Sequence, residues 1–136
     1  MGANHRKLKS ILLDIGGSNF ERQLTSWQIK NGTGDPVITE TYAPDGAFAE
    51  AADDDYSMDL TFISDWTANG VSDFLWDHDA ETVTYQLDHL YDIPGEHVRF
   101  EGEVLVKAPD VGGDQGATEQ TTITLKCVLK PVKTRP

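Results

Sequence analysis

The residues able to do chemistry gather in a few short runs. Asp77-His78-Asp79 is followed by Glu81, and Asp88-His89 by Asp92. Carboxylates and imidazoles in such proximity hold a divalent cation or move protons. Their spacing matches no metal-binding loop, and Asp77–Asp79 falls where a helical pattern gives way to a turn, an ordinary place for Asp and His. Structure is therefore the stronger reading of both runs. Asp53-Asp54-Asp55 has the composition of a weak Ca²⁺ site, but like charges in a loop are usually just solvated. Cys127 is the one cysteine, which excludes an internal disulfide and a zinc cluster. It sits in strand-like alternation, as a small buried apolar residue does. Ser18 and Ser26 have no His in a recognised arrangement, and there is no G-x-S-x-G elbow. Gly16-Gly17 and Gly112-Gly113 precede neither Lys-Ser/Thr nor a helix, so neither is a phosphate loop. Trp27, Trp66 and Trp76 have the chemistry of a sugar-stacking platform. Their spacing puts them on different elements, which favours core or subunit contacts. The expectation is a protein that is not an enzyme and carries no metal or cofactor.

The elements around these residues are mostly strands. Ser10–Ile15 and Phe20–Lys30 read as strands joined through Gly16-Gly17-Ser18-Asn19, with Trp27 and Ile29 on one face. Val37–Tyr42 is a further β-rich run. Ala43–Asp55 has no periodicity and reads as a long exposed loop. Tyr56, Met58, Leu60 and Phe62 alternate with polar residues, predicting a half-buried strand over Tyr56–Ser64. The period then changes: Val71, Phe74, Leu75 and His78 fall at i, i+3, i+4 and i+7. This predicts one short helix within Thr67–His78, capped by Asn69 or Ser72. Strands resume over Val83–His89, Val98–Val106 and Gln120–Lys130, the last placing Thr121, Ile123, Leu125, Cys127 and Leu129 on one face. About seven strands separated by turns, with one helix, make a mainly β protein, a β-sandwich or barrel.

A chain of 136 residues fits a single domain spanning residues 1–136 and buries enough surface to fold without disulfide or metal. Its formal charge of −12 excludes nucleic-acid binding by attraction, which needs Lys/Arg patches. The distribution says more than the total. All 23 carboxylates lie between Ile11 and Leu125, where only four residues are basic, leaving that body at −19. The other seven cations are Arg6, Lys7, Lys9, Lys126, Lys130, Lys133 and Arg135. Basic terminal arms, about residues 1–9 and 131–136, thus flank an anionic body. Contacts between copies, basic end to acidic body, and plain solubility account for this split equally well. No apolar run approaches the ~20 residues of a membrane span. Arg6-Lys7-Leu8-Lys9 precedes only Ile11-Leu12-Leu13, broken by Asp14, so no signal peptide is expected and synthesis is placed in a reducing compartment.

The second half carries an ordered series of segments. Thr67–His78 ends in Leu75-Trp76-Asp77-His78 and is followed by Thr82-Val83-Thr84-Tyr85. Then come Phe100-Glu101-Gly102-Glu103-Val104-Leu105-Val106 and Ala108-Pro109-Asp110-Val111-Gly112-Gly113-Asp114, and a Thr-rich strand closes on Val128-Leu129-Lys130-Pro131. Over Asp65–Pro131 this series resembles the tail tube (major tail) proteins of long, non-contractile-tailed bacteriophages, particularly those of actinobacteria. Members of that family often end the final strand with Gly-Lys-Pro, where this chain has Leu129-Lys130-Pro131. The resemblance implies a β-sandwich with one helix, hexameric rings, and rings stacked into a hollow tube that conducts DNA. It implies a virion protein, assembled in the host cytoplasm, with itself, tape measure, tail terminator and baseplate proteins as partners. DNA would pass through an acidic lumen without specific binding. By position, Ala43–Asp55 would be the loop reaching the next ring, with Asp45, Gly46, Phe48, Asp53, Asp54 and Asp55. The termini, with Arg6, Lys7, Lys9, Lys133 and Arg135, would add axial contacts.

Two other β-sandwich roles compete with this one. A tail completion or head-decoration subunit predicts small closed oligomers, and a carbohydrate-binding module predicts glycan affinity through a surface Trp. A metal-dependent hydrolase built on Asp77, His78 and Asp79 is the weakest reading.

Overall fold

The computed structural model describes residues 11–136; Arg6, Lys7 and Lys9 lie outside them. The order is β1 (Ile11–Ile15), β2 (Ser18–Asn19), β3 (Leu24–Asn31), β4 (Val37–Thr39), β5 (Phe48–Glu50), β6 (Tyr56–Ile63), α1 (Val71–Asp77), β7 (Thr82–His89), β8 (Val98–Leu105), β9 (Gln120–Cys127) and β10 (Val132–Thr134). The described residues are mainly β with one short helix, as the change of period predicts. The three strands beyond the expected seven, β2, β5 and β10, are pieces of two or three residues, too short to show a period. The expected run Val37–Tyr42 is a strand only over Val37–Thr39.

All pairings are antiparallel. One sheet runs β2-β1-β7-β8-β9-β6-β3, with β10 paired to β8; β4 and β5 form a separate two-stranded sheet. The long sheet is nearly interrupted at its middle. β8 meets β9 only through Val104↔Cys127 and Leu105↔Lys126, whereas β6 meets β9 over seven pairs, from Ser57↔Lys126 to Ile63↔Gln120. At that narrow seam the sheet folds over, and β3-β6-β9 faces β1-β7-β8 across a shared core.

Strict alternation builds that core. Met58, Leu60 and Phe62 of β6 lie opposite Leu125, Ile123 and Thr121 of β9, all buried. Leu13 and Ile15 of β1 lie beside Leu87 and Tyr85 of β7, and Val71 and Leu75 of α1 join the same cluster. Burying each such side chain contributes roughly 1.5–3 kcal/mol. The opposite faces of the same strands stay polar: Thr61 pairs its hydroxyl with that of Thr122 at 3.0 Å, and Thr124 donates to Asp59 at 2.7 Å.

Four local expectations change. Gly16 and Gly17, with φ of 62° and 90°, make the tight turn that links β1 and β2. That hairpin ends at Asn19, however, and β3 leaves to pair with β6 in the other half. The segment Ala43–Asp55 is not one loop, because Phe48–Glu50 pairs back onto Val37–Thr39. Neither Asn69 nor Ser72 caps the helix. Gly70 is the cap residue, while the Ser72 hydroxyl accepts from the Asp65 N–H at 3.1 Å. Finally, the last long strand stops at Cys127, and Leu129 stands exposed, since Pro131 cannot extend a ladder.

Candidate functional site

The β4–β5 hairpin is built by its tip. Ala43-Pro44-Asp45-Gly46 has Pro and Gly where a four-residue turn favours them, and the Gly46 N–H donates to the Ala43 carbonyl at 3.0 Å. Three residue pairs follow, Thr39↔Phe48, Ile38↔Ala49 and Val37↔Glu50. Every residue of both strands is exposed, including Val37, Ile38 and Phe48, and Tyr42 near the tip is wholly exposed. A two-stranded hairpin packed on nothing is marginal in water. The base is firmer: the Gly32 N–H donates to the Asp55 carbonyl at 2.6 Å, the Asp55 N–H to Thr33 Oγ1 at 3.0 Å, and the Asp55 carboxylate pairs with Lys126. Asp45 and Gly46 therefore sit at the tip, Phe48 on β5, and Asp53 and Asp54 on the return path. Asp55 belongs to the base.

The C-terminal segment is a second exposed surface, of opposite charge. Val128, Leu129 and Val132 are exposed, and Lys130, Lys133 and Arg135 lie among them without any acidic residue. β10 pairs with the first half of β8, Lys133 opposite Phe100, and Arg135 Nη1 donates to the Gly95 carbonyl at 3.2 Å. Between this segment and β3 the sandwich is open. A cleft of about 350 Å³ is lined by Ile29, Tyr56, Phe100, Lys130, Pro131 and Lys133. Ile29, Tyr56 and Phe100 also line a space of about 560 Å³ that continues to Trp27 and His89. His89 packs edge-on against Trp27, ring centroids 5.2 Å apart, and burial pushes its pKa below the ordinary histidine value.

The two broad outer faces differ in charge. On β3-β6-β9, Lys30 and Lys126 offset Asp59, whose pKa is lowered by hydrogen bonds from Thr124 and Lys30. On β1-β7-β8 the register aligns Asp14, Gln86 and Glu101 in one row and Thr84 with Glu103 in another. There Asp88 is buried under Arg99 Nε at 2.8 Å and His97 Nε2 at 2.9 Å. Burial pushes the Asp88 carboxyl up, but hydrogen bonds from His97, Arg99 and Gln86 and the Arg99 charge outweigh it and hold the pKa low. β3 has β6 on one side and no strand on the other among the described residues, so its backbone edge is open.

The chemical candidates are placed in structural roles. His78 Nδ1 lies 2.6 Å from Glu81 Oε2, and Asp79 accepts the Ala108 N–H at 2.8 Å. Asp88 and His89, adjacent on a strand, point to opposite faces. Among the described residues no three His, Cys, Asp or Glu gather as a metal site requires. Cys127 is buried, and burial pushes its thiol pKa upward. No described helix is long and apolar enough to cross a membrane. Trp66 and Trp76 do meet, at 6.2 Å, around a groove of about 400 Å³ completed by Val111, Gly112 and Glu119. Glu119 there already accepts from Trp66 Nε1 and the Gly112 N–H.

Sequence reasoning passed over Tyr42, Val37 and Ile38 as surface residues. The signal was available: four large apolar residues, counting Phe48, inside a segment otherwise full of carboxylates. It also missed the Asp88–Arg99–His97 cluster, legible only once β7 and β8 are known to pair. Neither protein-family models nor curated proteins give a match to this chain.

Proposed function

We propose that this chain is the tail tube subunit of a long, non-contractile-tailed phage. Its copies close into hexameric rings, and the rings stack into a hollow tube that conducts DNA. One observation carries the reading beyond the resemblance of Asp65–Pro131. A β-sandwich here keeps three features that a lone subunit cannot use: the open edge of β3, the unsupported β4–β5 hairpin and an apolar cleft. An open edge is a template for a neighbouring strand. Head-to-tail contacts between unlike surfaces close into rings or run on as filaments.

The charge pattern also supports a conduit. Duplex DNA carries one charge per ~1.7 Å. A cationic wall would hold it, whereas carboxylates within the ~8 Å Debye length repel it from all sides. Of the two outer faces, β1-β7-β8 with Asp14, Glu101 and Glu103 has the acidic balance this requires. Tape measure, terminator and baseplate proteins would be its further partners in the virion.

Negative-stain microscopy of concentrated protein tests the proposal. Rings or tubes are the expected result. Small closed oligomers would point instead to a tail completion or head-decoration role, and a lumen lined by Lys and Arg would overturn the conduit argument. The Trp66–Trp76 groove favours a carbohydrate-binding module as the second reading. That reading requires glycan affinity that Trp76→Ala removes.

A further inference from the structure

We propose that the cleft beside Lys130 and Lys133 is the socket for the β4–β5 hairpin of a second copy of this chain, with Tyr42 the side chain that enters it. The inference rests on the self-assembly reading above and names the surfaces that meet.

The socket has an apolar floor, Ile29, Tyr56 and Phe100, and a cationic rim, Lys130 and Lys133. Neither lysine enters an ion pair among the described residues. Its complement is an exposed aromatic or aliphatic group flanked by carboxylates. The hairpin has that composition: from Thr33 to Asp55 there are seven carboxylates and no Lys or Arg. Tyr42 stands wholly exposed near its tip, with Glu40 two residues before and Asp45 three after. Apolar contact and opposite charge therefore coincide at the same two places, and charge complementarity of this kind sets register and partner choice.

The molecule's own hairpin does not fill its own socket, because Tyr42 is in solvent. Each copy thus offers one plug and one vacant socket, two unlike surfaces. Their contact is heterologous, so every copy added presents a fresh plug and a fresh socket. A symmetric pair of copies would use both at once and stop.

Sedimentation velocity on the full chain over a concentration series tests this. Tyr42→Ala, Glu40→Lys/Asp45→Lys and Lys130→Glu/Lys133→Glu should each raise the concentration of half-association at least about tenfold. Melting temperatures should hold, since none of these side chains is buried. Mixing the two charge-reversed variants should restore association, because each supplies the complement the other lacks. Unchanged association in the variants, no recovery on mixing, or no self-association of the unmodified chain would each overturn the socket. Tubes that form normally from all three variants would overturn it while leaving the tail tube reading standing. Association that follows the charge swap but yields no rings or tubes would keep the socket and remove that reading.

Discussion

Replacing Gly34–Asp54 with an Asn-Gly turn is expected to leave a folded subunit that no longer assembles. None of the replaced residues is buried, so the excision removes almost no apolar contact with the core. The chain ends to be rejoined are already adjacent: β3–β6 pairing runs to Asn31↔Tyr56, and Gly32 and Asp55 share a backbone hydrogen bond of 2.6 Å. Shortening the connection from 21 residues to two lowers its closure entropy by (3/2)RT times the logarithm of that ratio, about 2 kcal/mol in favour of folding. Tight turns deviate from the scaling, so the expected change lies between zero and about 2 kcal/mol of added stability, a rise in Tm of up to about 8 °C. Urea denaturation gives the free energy, and sedimentation with negative-stain microscopy gives the assembly state. A loss of stability above about 1 kcal/mol would show that the hairpin supports the core. Tubes or rings formed by the shortened chain would show that it is not an assembly element.

Three other perturbations test the fold. A Cβ on Gly70 would lie 2.6 Å from the Asp65 carbonyl oxygen, so Gly70→Ala should cost about 1–3 kcal/mol in thermal denaturation by forcing the helix start apart. Leu125→Ala, at a fully buried position, should cost about 2–5 kcal/mol, whereas Leu129→Ser should stay within about 0.5 kcal/mol, which urea titrations separate easily. Because burial lowers the His89 pKa, the unfolded chain binds the proton more tightly than the native one. The native advantage is present above pH ~6.5 and declines as pH falls from there through the lower native value. Wild-type Tm should therefore drop more steeply below pH ~6.5 than that of His89→Gln; parallel profiles would refute this role for His89.

The parts of the fold legible in the sequence are those where one face is buried and the other wet. β6 and β9 announce themselves because Met58, Leu60, Phe62, Ile123 and Leu125 recur at every second position, and a one-residue slip would expose them all. Partner choice is another matter. Phe20–Lys30 alternates, but nothing local says that pairing with β1 ends at Asn19 and that β3 crosses to β6. Strand β4 lies in a run that reads as β-rich, but its partner β5 has only three residues, too few for a period. Leu129 continues the alternation of β9 in sequence only, past the point where any strand lies beneath it. Trp66 and Trp76 meet because a turn and a helix fold back on each other, a relation that spacing alone does not encode. The residues alone read as one exposed loop over Ala43–Asp55, and the turn at Ala43-Pro44-Asp45-Gly46 that folds it into a hairpin is seen only in the structure. The cleft was not legible either, since Ile29, Tyr56, Phe100 and Lys133 come from four strands.

The bulge between Leu24 and Ser26 interrupts the regular register of β3. Bulges bend a strand and raise its twist. The regular ladder to β6 beyond the bulge leaves Trp27–Asn31 as the even stretch of β3, whose other edge has no partner among the described residues. Five residues are a short template with a single charged side chain, Lys30, on it. If copies pair along that edge, so brief a template would capture a partner weakly until other contacts held the two in register. Under the self-assembly proposed above, subunits would then stay apart in solution until one correctly oriented copy is in place.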